Sequence, residues 1–269
     1  MFNYKNPHTK DDFHIDKTGM PICDRCNGEM GKRLKVGGMV MIMDALCECR
    51  SKEFEEEQRL LRETERLSNI VSLREKGIGD ELYRKHRFDK DDSSNTKESK
   101  LARRYVEKWQ EFYDEGIGII FTGEIGSGKS FYAACIANAL IDQEVVTIMT
   151  SFDRILNEAA GLDDRNKILK RLRECDLLVI DDLGIERQSD YGLEIVYGVI
   201  NDRVKSGKPL IITTNMPVSD MQSENDLRLS RIYDRILFMC PIQVVMTGES
   251  RRKEAHKKRI EKVKGILKG

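Results

Sequence analysis

The chain has 269 residues, with 46 Lys and Arg against 46 Asp and Glu and a formal net charge of zero at pH 7, so no global field commits it to nucleic acid and any such contact must come from local patches. Hydrophobic residues make up 39% and charged residues 34%, enough apolar side chain for the core of one domain plus an appendage, with long solvated helices besides. No apolar stretch reaches membrane-spanning length, and the start, MFNYKNPHTKDD, lacks the apolar region of a signal peptide; the expectation is a cytoplasmic protein with no membrane partner.

The first chemical landmark is a set of four early cysteines. CDRC carries Cys23 and Cys26, and CEC carries Cys47 and Cys49. Between them GKRLKVGGMVMIMDAL places short alternating or apolar runs on either side of Gly37-Gly38, the sign of a two-stranded hairpin. A knuckle and a hairpin bring four thiolates into the tetrahedral arrangement of Zn²⁺, whose binding supplies folding energy that so short a segment lacks. Residues 1–50 therefore read as a small zinc-ribbon module. Disulfides are the alternative, at odds with the lack of secretory features, and the C-x-C pair is tighter than the usual C-x-x-C. His8 and His14 are either substitute ligands or simply solvated. Met39, Met41 and Met43 supply either an adaptable contact surface or the core of the hairpin.

Residues 51–97 read as a helical linker. SKEFEEEQRLLRETERLSNIVSLREK, from Ser51 to Lys76, combines mixed-sign charge with apolar residues at helical spacing and ends at GIG, which predicts a long exposed helix, either a connector or a partner contact. DKDDSSNTKES follows as a polar loop. A second helix then carries Tyr105, Trp109 and Phe112 on one side, as core rather than as a base-stacking platform.

The remaining residues, 98–269, read as a nucleotide-binding α/β domain with a basic tail. GEIGSGKS, from Gly123 to Ser130, follows the apolar run GIIF and precedes the helical pattern FYAACIANAL. Its spacing, G-x-x-x-x-G-K-S, is that of a P-loop: Gly123, Gly126, Ser127 and Gly128 let successive backbone N–H groups converge on phosphate oxygens, Lys129 reaches the terminal phosphates of a bound nucleotide, and Ser130 offers its hydroxyl to Mg²⁺. Beyond it, VVTIMT, LLVIDD, PLIITTN and IQVVMT alternate with helical stretches, the pattern of a parallel sheet buried between helices. Asp181 and Asp182 end a buried strand, where two acids are costly unless a metal or water uses them; Asp181 fits the Mg²⁺ partner of Ser130, and Asp182 the base that orients the attacking water. Asn215, at the tip of a strand expected between the loop strand and the aspartate strand, is placed to touch the terminal phosphate or that water. The lone Cys135, Cys175 and Cys240 read as buried thiols.

VYGVINDRVKSGKPLIITTN followed by RIYDRI resembles the bacterial and phage replicative-helicase loaders of the DnaC and DnaI type, a branch of the AAA+ ATPases. The CDRC and CEC pairs, and LREKGIGDELYRKHRF leading into the ATPase, are similar as well, so the resemblance runs from about Cys23 to Arg252. It implies an AAA+ domain in which Arg235 is the arginine finger offered to a neighbouring subunit, with Arg231 a helical turn earlier, and Arg251 the second sensor. It also implies a function: delivery of the hexameric replicative helicase onto single-stranded DNA, with ATP binding and hydrolysis as the switch and self-association when ATP-bound. The zinc-bearing region would grip the helicase while the ATPase region contacts DNA. Where many AAA+ enzymes carry Glu this chain has Asp182, whose shorter side chain implies slow turnover. The tail RRKEAHKKRIEKVKGILK either follows a phosphate backbone or is merely solvated. Two rivals remain: a transposition-helper ATPase of the IstB type, which the four cysteines argue against, and a zinc-dependent adaptor that binds ATP with negligible turnover.

Overall fold

The structure, a computed structural model, describes residues 13–159, 162–184 and 190–247, together with 259–261, 263–264 and 266. The chain divides into two compact units, residues 1–68 and 69–269. Among the described residues no helix is long and apolar enough to cross a membrane.

The first unit is built from two small antiparallel pairs. β1 (Phe13–Ile15) pairs with β2 (Pro21–Cys23), and β3 (Gly31–Val36) with β4 (Met39–Asp44). The β3–β4 turn is Gly37-Gly38, both left-handed with φ of 61° and 85°, as a two-residue hairpin loop with the strands' own twist requires. The register sets Val36 opposite Met39 and Leu34 opposite Met41. Met39, Met41 and Met43 are more than half exposed, so they do not form a buried hairpin core. The core of this unit is instead Cys23, Met30 and Cys47, with Phe13 and Cys49 packed against them.

α1 (Glu48–Gly77) starts at the second cysteine pair. Its solvated turns carry mixed-sign pairs such as Lys52–Glu48 and Arg59–Glu56, each worth a few tenths of a kcal/mol. Its last turns belong to the second unit: Ile70 is buried, and Arg74 donates to Asn138 and Asp142.

The second unit continues through α2 (Glu81–Arg84), a 3₁₀ turn at Phe88–Lys90, α3 (Lys97–Glu107) and α4 (Trp109–Asp114). The expected single aromatic helix is thus two. In one straight helix residues seven apart are separated by about 10.5 Å along the axis, whereas the break at Lys108 lets the rings of Phe112 and Tyr105 stack with centroids 4.7 Å apart.

A five-stranded parallel sheet follows, built from β5 (Ile119–Gly123), β6 (Thr147–Thr150), β7 (Leu177–Ile180), β8 (Leu210–Thr213) and β9 (Ile242–Met246). The helices between them are α5 (Lys129–Ile141), α6 (Phe152–Glu158), α7 (Leu162–Glu174), α8 (Asp190–Ser206), α9 (Val218–Gln222) and α10 (Leu227–Met239). The strand order is β6-β7-β8-β5-β9. Alternate residues of each central strand face opposite layers: Ile120, Leu178, Ile180 and Ile212 enter one apolar cluster with α6, α7, α8 and α10, while Ile119, Phe121, Val179 and Ile211 enter another with α3, α4 and α5. Burial on both faces explains why these strands read as continuous apolar runs. Cys135, Cys175 and Cys240 are all buried. Arg203, with no exposed surface, fastens the far end of the sheet by donating to the carbonyls of Cys175, Leu172, Asp176 and Pro209.

Candidate functional site

The loop after β5 turns on glycines. Gly123 and Gly128 have φ of 131° and 101°, values that L side chains rarely adopt. At Gly123 a Cβ would lie 2.2 Å from the carbonyl oxygen of Met246, so the turn out of β5 admits no side chain. Gly128 is the N-cap of α5, and the first-turn N–H groups of that helix, with the positive end of its dipole, lie where the loop ends. Gly126 is also left-handed, Ser130 is half-buried in the first turn of α5, and Ser127 carries a buried hydroxyl with no hydrogen-bond partner. An orphaned donor in a loop of converging amides fits a phosphate group, which supplies the missing acceptors.

Lys129 is 7% exposed, and its Nζ donates to the carbonyls of Gly123 and Glu124 and to Oδ1 of Asn215, each at 2.8 Å. That last bond exists because β8 lies between β5 and β7, the position expected of the strand that ends at Asn215. The parallel register pairs Ile180 with Ile212, so Thr213 stands beside Asp181. Its Oγ1 donates to Asp181 Oδ1 at 2.7 Å and accepts from the Asp182 N–H at 2.8 Å.

Asp181 is 5% exposed, whereas Asp182 reaches solvent in the left-handed region at φ 56°, a conformation Asp tolerates better than most residues. Asn215 closes the group by donating Nδ2 to Asp182 Oδ1 at 3.4 Å. Lys129, Asn215, Asp182, Thr213 and Asp181 thus form one connected polar cluster at the carboxyl ends of three adjacent strands, where open parallel sheets hold their ligands. Such a cluster can hold phosphate by its cation and donors, a divalent cation by its carboxylates, and a water between Asp182 and Asn215.

One member of this cluster, Thr213, and one residue bonded to it, Tyr83, were not singled out from sequence. Thr213 sits in the quoted run PLIITTN, and its signal was its place at a strand end beside two acids. Tyr83 donates its hydroxyl to Asp181 Oδ2 at 2.5 Å from 98 residues away; nothing local announces it.

The candidate finger lies elsewhere. Arg235, half-buried on α10, has its guanidinium 4.8 Å from the ring centre of Tyr197 on α8; it donates to the Tyr197 hydroxyl at 3.0 Å and to the carbonyl of Arg231 at 3.0 Å. It makes no bond to the strand-end cluster. Arg231 is exposed. Arg251 lies outside the described residues, as do His8 and most of the basic tail.

In the first unit the sulfurs of Cys23, Cys26, Cys47 and Cys49 all lie within 4.8 Å of one another, with Cys23–Cys49 at 3.7 Å and Cys47–Cys49 at 3.4 Å. Four thiolates on a tetrahedral zinc at about 2.3 Å have sulfur–sulfur edges of about 3.8 Å, so the residues fit that ion. The tight turn after β2, in which Asn27 N–H donates to Cys23 O and Cys23 N–H to Gly28 O, aims backbone donors at the first pair. The N–H groups of Arg25 and Cys26 hold the Cys23 thiol down to about 6, and that of Gly28 lowers Cys26. His14 is not in the cluster; it is exposed and bound to Asp24 at 2.6 Å.

A glycine-rich loop entering a helix, with acids and an amide at the neighbouring strand tips of a parallel sheet, defines an AAA+ type of P-loop ATP-binding protein. The family model described as IstB-like ATP binding protein matches residues 54–259, and the chain belongs to this IstB/DnaC-like AAA+ family. The replicative helicase loader DnaC of Escherichia coli K12 is 30% identical over 158 residues, which is 56% of this chain and 61% of the relative; the chain therefore spans about three-fifths of that protein. A Mycobacterium tuberculosis protein, named as an ATP-binding protein in an insertion sequence, is 26% identical over 247 residues, 87% of this chain and 96% of its own. Among solved structures, the DnaC helicase loader superposes with a TM-score of 0.52 at 26% identity, covering 62% of this chain and all of that one.

Proposed function

We propose that this protein is an ATP-dependent loader that binds a replicative DNA helicase and delivers it onto single-stranded DNA. The observation that carries the reading is the polar cluster linking Lys129, Asn215 and Asp182 in a chain whose relatives include proteins named replicative helicase loader. In this reading residues 1–50 form the zinc module, 51–97 the linker and 98–269 the ATPase. Cys23, Cys26, Cys47 and Cys49 would hold a structural Zn²⁺, whose binding would supply folding energy to so short a unit, and this unit binds the helicase.

The loop from Gly123 to Ser130 wraps the phosphates of ATP by its amides. Lys129 exchanges an oxygen acceptor of the loop for a phosphate oxygen, and its bond to Asn215 carries that exchange to the tip of β8. Ser130 and Asp181 hold Mg²⁺, which neutralises phosphate charge. Asp182 takes the proton of the attacking water, and Asn215 orients that water. Arg235 acts across a boundary between subunits, so turnover needs self-association, and Arg251 acts within its own chain. The short Asp182 makes hydrolysis slow, as befits a switch rather than a motor.

A second reading is a transposition-helper ATPase. The insertion-sequence relative favours it through the length over which it aligns; the four-cysteine cluster, which lies before the matched residues 54–259, is what the loader reading uses and the helper reading leaves idle. Co-purification decides between them. Recovery of a hexameric helicase with the tagged chain supports the loader, and recovery of a transposase without helicase overturns it. A chain that binds ATP and helicase but shows no turnover, alone or with single-stranded DNA, is an adaptor.

A further inference from the structure

Asp181 receives a hydroxyl on each carboxylate oxygen. Thr213 donates to Oδ1 at 2.7 Å and Tyr83 to Oδ2 at 2.5 Å. Thr213 belongs to the neighbouring strand, but Tyr83 comes from α2, before the sheet begins, in a segment fixed from several sides. Asn138, 1% exposed on α5, donates its Nδ2 to the carbonyls of Tyr83 at 2.8 Å and His86 at 2.9 Å. Asp80 caps α2 by accepting from the Leu82 N–H at 2.8 Å, and Arg84 returns to the carbonyl of Ile78 at 2.6 Å. Ile78 in turn bridges to Met149 on β6, and Gly77 passes so close to that strand that a Cβ would lie 2.1 Å from the carbonyl oxygen of Thr147. The Tyr83 hydroxyl is thereby held in one frame with α5, the helix that begins at Lys129.

Each carboxylate oxygen has two lone-pair directions. With one on each side taken by a hydroxyl, the plane of the Asp181 carboxylate is fixed, and one direction on each oxygen stays open to a cation or its bound water. We propose that Tyr83 is a positioning residue for the metal–nucleotide site, holding the Asp181 carboxylate in the orientation that receives the divalent cation; this rests on the assignment of Asp181 to Mg²⁺ made above. The role belongs to the segment before the ATPase sheet, so the linker completes the site rather than merely leading into it.

The test uses the full chain, with wild type, Tyr83→Phe and Thr213→Val compared by titration of a fluorescent ATP analogue across a Mg²⁺ series and in EDTA. Phe keeps the ring beside His86, whose centroid is 5.9 Å away, and removes only the donor. The expected result is that affinity in EDTA is unchanged while the Mg²⁺ concentration at half effect rises about tenfold, the lower end of what a hydrogen bond to a charged group is worth. Thr213→Val, acting on the other oxygen, should shift it the same way, and Tyr83→Phe should add nothing in an Asp181→Asn background.

A Tyr83→Phe chain with wild-type Mg²⁺ dependence overturns the role of Tyr83 alone. Equal weakening with and without Mg²⁺ overturns it as well, because a merely structural role would do that. A wild-type chain whose nucleotide affinity ignores Mg²⁺ overturns the metal assignment of Asp181 and this proposal with it.

Discussion

Lys129 and Asn215, 86 residues apart in the chain, meet in a 2.8 Å hydrogen bond that ties the phosphate loop to the tip of the neighbouring strand. The lysine therefore has a structural share as well as a binding one. Two loop carbonyls and one amide oxygen accept from its ammonium, so neutral acceptors hold a charge that is only 7% exposed.

Lys129→Ala should abolish nucleotide binding, as read by titration with labelled ATP. It should also lower stability by about 1–2 kcal/mol, because three acceptors lose a charged donor. Lys129→Arg retains charge but not the compact ammonium that fits three converging oxygens, and should rescue stability more than binding. Unchanged ATP affinity in Lys129→Ala would remove the loop from the mechanism.

Asp182 and Asn215 should separate binding from turnover. Asp182→Asn keeps the Asp182 N–H to Thr213 Oγ1 bond and should bind ATP and Mg²⁺ normally while hydrolysis falls about 10²–10⁴-fold, the usual share of a positioned base. Asn215→Ala breaks bonds to both Lys129 and Asp182 and should weaken binding and turnover together. If Asp182→Asn instead loses Mg²⁺-dependent affinity, Asp182 is a metal ligand and the division of labour with Asp181 is reversed.

Those assignments show what the sequence carried and what it did not. The loop, the five apolar runs and the place of Asn215 between two strand ends were legible because each is a local pattern with a fixed geometric consequence: left-handed glycines at Gly123 and Gly128, central strands buried on both faces, and acids at strand tips. The hairpin about Gly37-Gly38 was legible for the same reason. The pairing of β1 with β2 was not, since three-residue strands carry too short a pattern. Tyr83 was hidden because its partner Asp181 is a tertiary neighbour 98 residues away. The break between α3 and α4, at Lys108, contains neither Gly nor Pro, so no local signal marks it, although it lets the rings of Tyr105 and Phe112 stack. The methionines of β4 admit two readings in sequence, and exposure excludes only the buried one.

Metal content should follow the four early cysteines. Protein purified without added metal should carry about one Zn²⁺ per chain by elemental analysis, and Cys23→Ser or Cys49→Ser should lose it. Removal with a strong chelator should expose Cys23, Cys26, Cys47 and Cys49 to a thiol reagent, whereas Cys135, Cys175 and Cys240, buried in the second unit, should react only on unfolding. Burial pushes the thiols of Cys175 and Cys240 up, which further lowers their thiolate fraction. Because the cysteines and the phosphate loop lie in different compact units, ATP binding should survive while helicase binding fails. A metal-free chain that still binds helicase would take zinc out of the mechanism.

The last expectation concerns Arg235, whose guanidinium is engaged within its own chain by Tyr197 and by the carbonyl of Arg231. For a finger that acts on a neighbouring subunit, these contacts set its direction or must be exchanged on assembly. In either case Arg235→Ala should leave ATP binding by an isolated chain intact and remove the turnover stimulated by assembly, a loss of about 10³-fold or more where a finger is absent from phosphoryl transfer. Tyr197→Phe, which deletes the hydroxyl acceptor but keeps the ring beneath the cation, separates the alternatives: lower stimulated turnover means that Tyr197 aims the finger, and higher turnover means that it restrains it. A mixing experiment then locates the site. Lys129→Ala subunits cannot hold ATP but still carry Arg235, and Arg235→Ala subunits hold ATP but lack a finger, so two inactive proteins should regain hydrolysis at hybrid boundaries. If mixed oligomers form and no hydrolysis returns, Arg235 serves only to pack α10 against α8, and a finger must be sought elsewhere, first at the exposed Arg231 one turn earlier.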